Sequence, residues 1–367
     1  MTGEETDPAT SFDARAFLKK LEQARAEKLE VVARRPKQKR LVKALLRSSE
    51  ILYALTDTHR KIAALEGGAD PVQTYEWFPK PGSVAFDDRI RIEPGVTAFI
   101  ESESPKQLIW LDTNPTRNST AWAVDFIRRC LHSTVDDLSA VAVLSRHSGH
   151  IRAPITLSRS VLEAAALACF LSDPDATPEE RLRRTLNLRF SELKEASNEV
   201  RDRADEFDYD AEILELVSYA NVIGFAVKAS KPGSHQPPMI LGPGTTRADS
   251  ARLMVDAVLP DGLGRSMWRS LSAVAHSRDS GTVLPDEYGL PHEIEGWRRF
   301  EAVAWHAVPA LLVVHEMVRR LQTFLGWDFA DWLEMFENVV HVWSIGGGLA
   351  DDQIREGLGF EQIIWTP

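Results

Sequence analysis

In the stretch WRSLSAVAHS, Trp268 to Ser277, an arginine, a serine and a histidine fall at positions 269, 272 and 276. Steps of three and four residues put Arg269, Ser272 and His276 on one stripe of an α-helix, which turns once every ~3.6 residues. Each residue type has a use against a phosphodiester. Imidazole, with a reference pKa of ~6.5, works as a base near neutral pH. The planar guanidinium grips non-bridging phosphate oxygens through paired donors, and a serine hydroxyl between the two adds a hydrogen bond. Such a set suits cleavage of RNA by its own 2′-hydroxyl, with no metal ion. A plainer reading stands beside it, in which Arg269 pairs with an acid and His276 caps its helix.

A second polar pair interrupts the apolar run SRSVLEAAALACFLS, where Arg159 and Glu163 are spaced i, i+4. A charge entering a core must be matched, since removing the partner of a buried charge costs about 3–5 kcal/mol. The pair therefore either fixes helix register or forms the floor of a polar pocket beside His276. In the latter case Arg159 and Arg269 would also suit an anionic small molecule. The Arg-to-His spacing recurs as Arg299 to His306, but Val303, Trp305, Val308 and Leu311 mark His306 as a core residue. His276 precedes the polar run SRDSGT and is the expected site.

Other chemistries lack their residues. Only Cys130 and Cys169 are present, too few for a disulfide framework or a zinc knuckle. His306 and His315 are nine residues apart with Pro309 between them, which is not a metal-ligand pattern on one helical face. The glycines of GPGTTRADS have no following lysine, and IGGGLADD lacks a preceding strand. No metal and no cofactor are expected.

Arg269, six intervening residues and His276, together with the RSVLEAAA helix upstream and LSAVAHS downstream, resemble HEPN domains over roughly residues 119–326. The resemblance implies a helical bundle and a metal-independent endoribonuclease of the toxin or antiviral type. Arg269 and His276 would be catalytic, in a homodimer that pairs these motifs across a two-fold cleft, with an antitoxin or other protein as a further partner. A non-catalytic binding or interaction protein on the same scaffold is the alternative.

These residues are carried by a chain of 367 residues, 44% hydrophobic and 26% charged, as in ordinary globular proteins. The expected fold is all-α, a multi-helix bundle with a small β insertion near residues 80–112, where VAFDDRIRIEPGVTAFIES mixes β-branched residues with Pro-Gly breaks. Residues 1–67 read as an N-terminal helical appendage with helices over 12–32 and 36–66. Residues 68–118 read as a linker with the β patch, 119–345 as the bundle and 346–367 as a tail. Helices are expected over 119–146, 152–172, 178–205, 209–228, 246–258, 262–276, 295–326 and 329–342. The helix at 152–172 becomes apolar on all sides after Val161 and should be central. Thr177 and Pro178 suit an N-cap and first helical position. Residues 229–250, rich in Pro and Gly, form a long connection of the kind that borders clefts or merely covers them.

The net charge of −11 argues against a protein that coats nucleic acid with its whole surface. Residues 33–47 nevertheless carry Arg34, Arg35, Lys37, Lys39, Arg40, Lys43 and Arg47 with no acid, so the remainder of the chain holds a formal −18. This segment either meets RNA or another polyanion, or pairs with acidic surface of its own chain. The start, MTGEETDPAT, has no basic-then-apolar leader pattern. The apolar runs from Ala164 and Ala302 fall short of the ~20 residues that span a bilayer. A cytoplasmic location without membrane partners is the expectation, and the C-terminal Trp327, Trp332 and Trp343 suit a large buried or interfacial surface.

Overall fold

The computed structural model describes residues 37–58, 80, 82–88, 119–146, 150–199, 208–230, 235–242, 251–259, 263–276 and 292–347. The fold is all-α with a small β insertion. In chain order the helices are α1 (37–58), α2 (84–88), α3 (Ser119–Leu144), α4 (Arg152–Leu171), α5 (Pro178–Glu199), α6 (Tyr209–Val222), α7 (Ala251–Val258), α8 (Leu263–Ala275), α9 (His292–Leu325) and α10 (Ala330–Gly346). Strands β1 (Val227–Lys228) and β2 (Met239–Ile240) pair antiparallel, Val227 opposite Ile240. This hairpin lies in the connection after α6. In the region where the sequence suggests strands, residues 84–88 are helical, and 89–112 lie outside the described residues, as does the helix expected over 12–32.

Helix α4 packs against α3, α7, α8 and α9 and occupies the centre. The reason is its composition: Val161, Leu162, Ala165, Ala166, Ala168, Cys169 and Leu171 are all fully buried, and small alanines let neighbours approach on every side. Helix α9 contributes a long apolar face including Leu311, Val314, Met317, Val318 and Leu321, and it continues through Pro309. Both α4 and residues Phe300–Leu325 are long and apolar enough to cross a membrane by composition, and most of each is buried inside the bundle.

Helix α1 is built into this core. Val42, Leu45 and Leu52 of α1 are buried in it. The Trp332 and Trp343 indoles of α10 donate to the carbonyls of Ser48 (3.0 Å) and Leu41 (3.2 Å). Trp327, Trp332 and Trp343 are thus 3%, 2% and 0% exposed. They serve the chain's own core.

A smaller core unites α5, α6 and the hairpin through Leu186, Phe190, Leu216, Tyr219 and Ile240. Helix α6 ends well before residue 228. Gly224 takes φ of +95°, and the amides of Gly224 and Phe225 bond back to the carbonyls of Asn221 and Ala220. That pattern is a Schellman stop, which a glycine at this position permits. Asn187 of α5 then holds β2 by both of its amide groups, accepting from the Ile240 N–H (2.8 Å) and donating to its carbonyl (3.3 Å).

Candidate functional site

Helix α8 is positioned by its start. Asp256 of α7 accepts from the Arg265 backbone N–H and pairs with its guanidinium at 2.8 Å. Gly264 lies so close to α7 that a Cβ there would stand 2.5 Å from the Val255 carbonyl oxygen. The apolar Leu271, Ala273 and Val274 face inward, and the helix turn continues to His276, whose amide bonds to the Ser272 carbonyl at 3.0 Å. Arg269 and His276 are therefore exposed and Ser272 half-buried, in agreement with their shared stripe.

Helices α4 and α8 pack side by side, and this brings the two polar pairs together. Glu163 Oε1 accepts from Arg159 Nε (2.8 Å) and from the Trp268 indole N–H (2.8 Å). The Arg159 guanidinium lies over the Trp268 ring, 5.2 Å from its centroid, a cation–π contact. Arg159 Nη1 then stands 3.4 Å from His276 Nε2. Guanidinium has donors only, so a hydrogen bond between them uses the Nε2 lone pair as acceptor. The Arg159 and Glu163 side chains keep 21% and 31% of their surface.

Arg269 shares the helix face with His276 and makes no ion pair among the described residues. The arginine in contact with His276 is Arg159, from another helix. Trp268, a fixed link between α4 and α8, escaped the sequence reading although it opens the stretch. Its signal is the four-residue step to Ser272, which places it at the border of the exposed stripe.

The second Arg-to-His spacing belongs to a different environment. His306 Nδ1 donates to the Ala302 carbonyl (2.7 Å), and its Nε2 accepts from the Ser270 hydroxyl (3.3 Å). Burial holds its pKa below the ordinary value against the raising effect of the Ala302 bond, so it is a neutral residue tying α9 to α8. His315 instead meets Glu337 of α10 at 3.1 Å. The two histidines share no ligand site, and among the described residues no group of three His, Cys, Asp or Glu is placed to hold a metal.

Lys37, Lys39, Arg40 and Lys43 are all exposed along α1. They form no ion pair among the described residues, while Arg34 and Arg35 lie outside them. A different group of arginines, unforeseen in the sequence, is buried or half-buried. Arg181 forms a buried two-point pair with Asp88 and donates to the carbonyls of Asp173 and Ala176. Arg184 and Arg320 donate to the carbonyls of Phe170 and Cys169. These satisfy the free acceptors that end α4. The acid-basic run PEERLRR gives a hint of ion pairing but not of burial.

No protein-family model, curated protein or solved structure matches this chain.

Proposed function

We propose that the α4–α8 cluster binds the backbone of single-stranded RNA and cleaves it without a metal, as a HEPN-like endoribonuclease. The observation that carries this reading is the 3.4 Å approach of Arg159 to His276, with Arg159 held from behind by Glu163 and Trp268. A phosphate is a stronger acceptor for guanidinium than neutral imidazole. Its arrival would draw Arg159 off His276 Nε2 and free that lone pair. Arg269 supplies the second cation on the same face, and Ser272 a hydroxyl.

His276 Nε2 then takes the proton of the ribose 2′-hydroxyl, and the 2′-oxygen forms a bond to phosphorus. The P–O5′ bond breaks, and the 5′-oxygen leaves with a proton from water. The products are a 2′,3′-cyclic phosphate and a 5′-hydroxyl. Arg159 and Arg269 stabilise the extra charge on the phosphorane oxygens. The exposed bases of α1 would add sequence-independent affinity for the strand. On this reading the partners are RNA, a second copy across an isologous interface and a regulatory protein.

A binding role without cleavage is favoured by one feature: Ser270, next to Arg269, is turned inward to His306, so that position adds no polar group to the open face. The test separates the two. His276→Ala is expected to abolish cleavage of a single-stranded RNA in EDTA while leaving RNA affinity within about threefold, and Arg269→Ala is expected to lose both. Wild-type protein that binds RNA through Arg159 and Arg269 but produces no cyclic-phosphate ends would leave binding as the function. No RNA affinity at all would remove both readings.

A further inference from the structure

Away from α4 and α8, a groove of 580 Å³ runs between α1 and α3. The two helices are antiparallel, because Gln38 near the start of α1 donates to the Ser145 carbonyl beyond the end of α3 (3.1 Å). Ser49, Glu50 and Tyr53 of α1 meanwhile face His132, Ser133, Asp136 and Ser139 of α3 across the groove. The volume falls within the ~300–1,000 Å³ usual for small-molecule sites.

The contents of the groove select the sign of its ligand. Glu50 and Asp136 are exposed, one on each wall, and neither forms an ion pair among the described residues. Tyr53 is 51% exposed, and its ring stands edge-on to His132 with centroids 6.3 Å apart. Val135, buried, gives an apolar patch at the base. Carboxylates facing each other beside an open aromatic ring attract a cation that also carries hydrocarbon. A compact divalent ion fits less well, since no three ligating side chains converge among the described residues.

We propose that the α1–α3 groove binds an organic cation of the linear polyamine class. One ammonium group would meet Glu50 and another Asp136, with the methylene chain lying on Tyr53 and Val135. This site is independent of the ribonuclease reading.

Titration calorimetry of the full chain with spermidine at low salt tests it, with no RNA present. One saturable site is expected, whose Kd rises at least tenfold in Glu50→Gln/Asp136→Asn and severalfold in Tyr53→Ala. All three substituted side chains are exposed, and circular dichroism checks that each variant is folded. Glu195→Gln/Glu199→Gln, removing two exposed acids of α5, is the control for diffuse attraction to a chain of net charge −11. Equal weakening in that control, or no saturable binding by wild type, overturns the proposal. So does binding of a lysine-rich peptide but not of spermidine, which would make the groove a docking site for a protein segment.

Discussion

Removing the Glu163 carboxylate should disconnect the cluster from behind. Glu163→Ala deletes two hydrogen bonds of 2.8 Å, one from Arg159 and one from the Trp268 indole. The first is an i, i+4 ion pair with both partners partly solvated, so screening limits it to about 0.3–1 kcal/mol. The second is a net hydrogen bond of about 0.5–1.5 kcal/mol, and its loss leaves a half-buried indole N–H without an acceptor. The expected destabilisation is therefore about 1–2 kcal/mol in urea unfolding followed by circular dichroism. Trp268→Phe removes the same indole bond from the other side. Because the two changes delete a shared interaction, the double variant should be less destabilised than the sum of the singles by about 0.5–1 kcal/mol. Arg159, freed from Glu163, should also hold RNA less well, with affinity falling about three- to tenfold. Additive stabilities with unchanged RNA affinity would refute the claim that Glu163 and Trp268 position Arg159.

Exchanging Lys37, Lys39, Arg40 and Lys43 for Gln should leave the unfolding midpoint nearly unchanged, because all four side chains are solvated, while RNA binding weakens and its salt slope flattens; an unchanged slope would assign α1 to structure alone. His306, whose pKa is lowered by burial, takes up its proton more readily when unfolded, so the stability it allows above pH ~6.5 should be lost as pH falls through the folded-state value. His306→Gln should therefore flatten the decline in stability between neutral and mildly acidic pH, although His315, lowered in the same direction by burial, keeps part of the slope; an unaltered profile would show that His306 does not titrate on unfolding. Burial pushes the Cys130 thiol up to about 12 and the fully buried Cys169 thiol up as well, so neither should react with a thiol reagent at pH 8 until the chain is unfolded, and rapid labelling of the native protein would contradict their placement.

The helices were legible because their signals are local. Apolar residues recur every three or four positions along α3 and α9, Thr177 caps α5 by accepting from the Glu180 N–H at 3.2 Å, and α4 turns apolar all round where it enters the core. The shared face of Arg269, Ser272 and His276 follows from helical geometry in the same way. The stop of α6 was written in Gly224, yet its apolar neighbours Ile223 and Phe225 hid it within a pattern that continues to Val227.

Contacts between helices were beyond the reach of any such pattern. That Arg159 meets His276, 117 residues away, depends on the close approach at Gly264 and on the packing of α8 against α4. The burial of Arg181 with Asp88 joins positions 93 residues apart, and the enclosure of Trp332 and Trp343 requires α1 to lie across α10. Periodicity shows which side of a helix avoids water, but not which neighbour covers it. That choice is made by the combined packing of the whole bundle, where many weak contacts between distant residues act together.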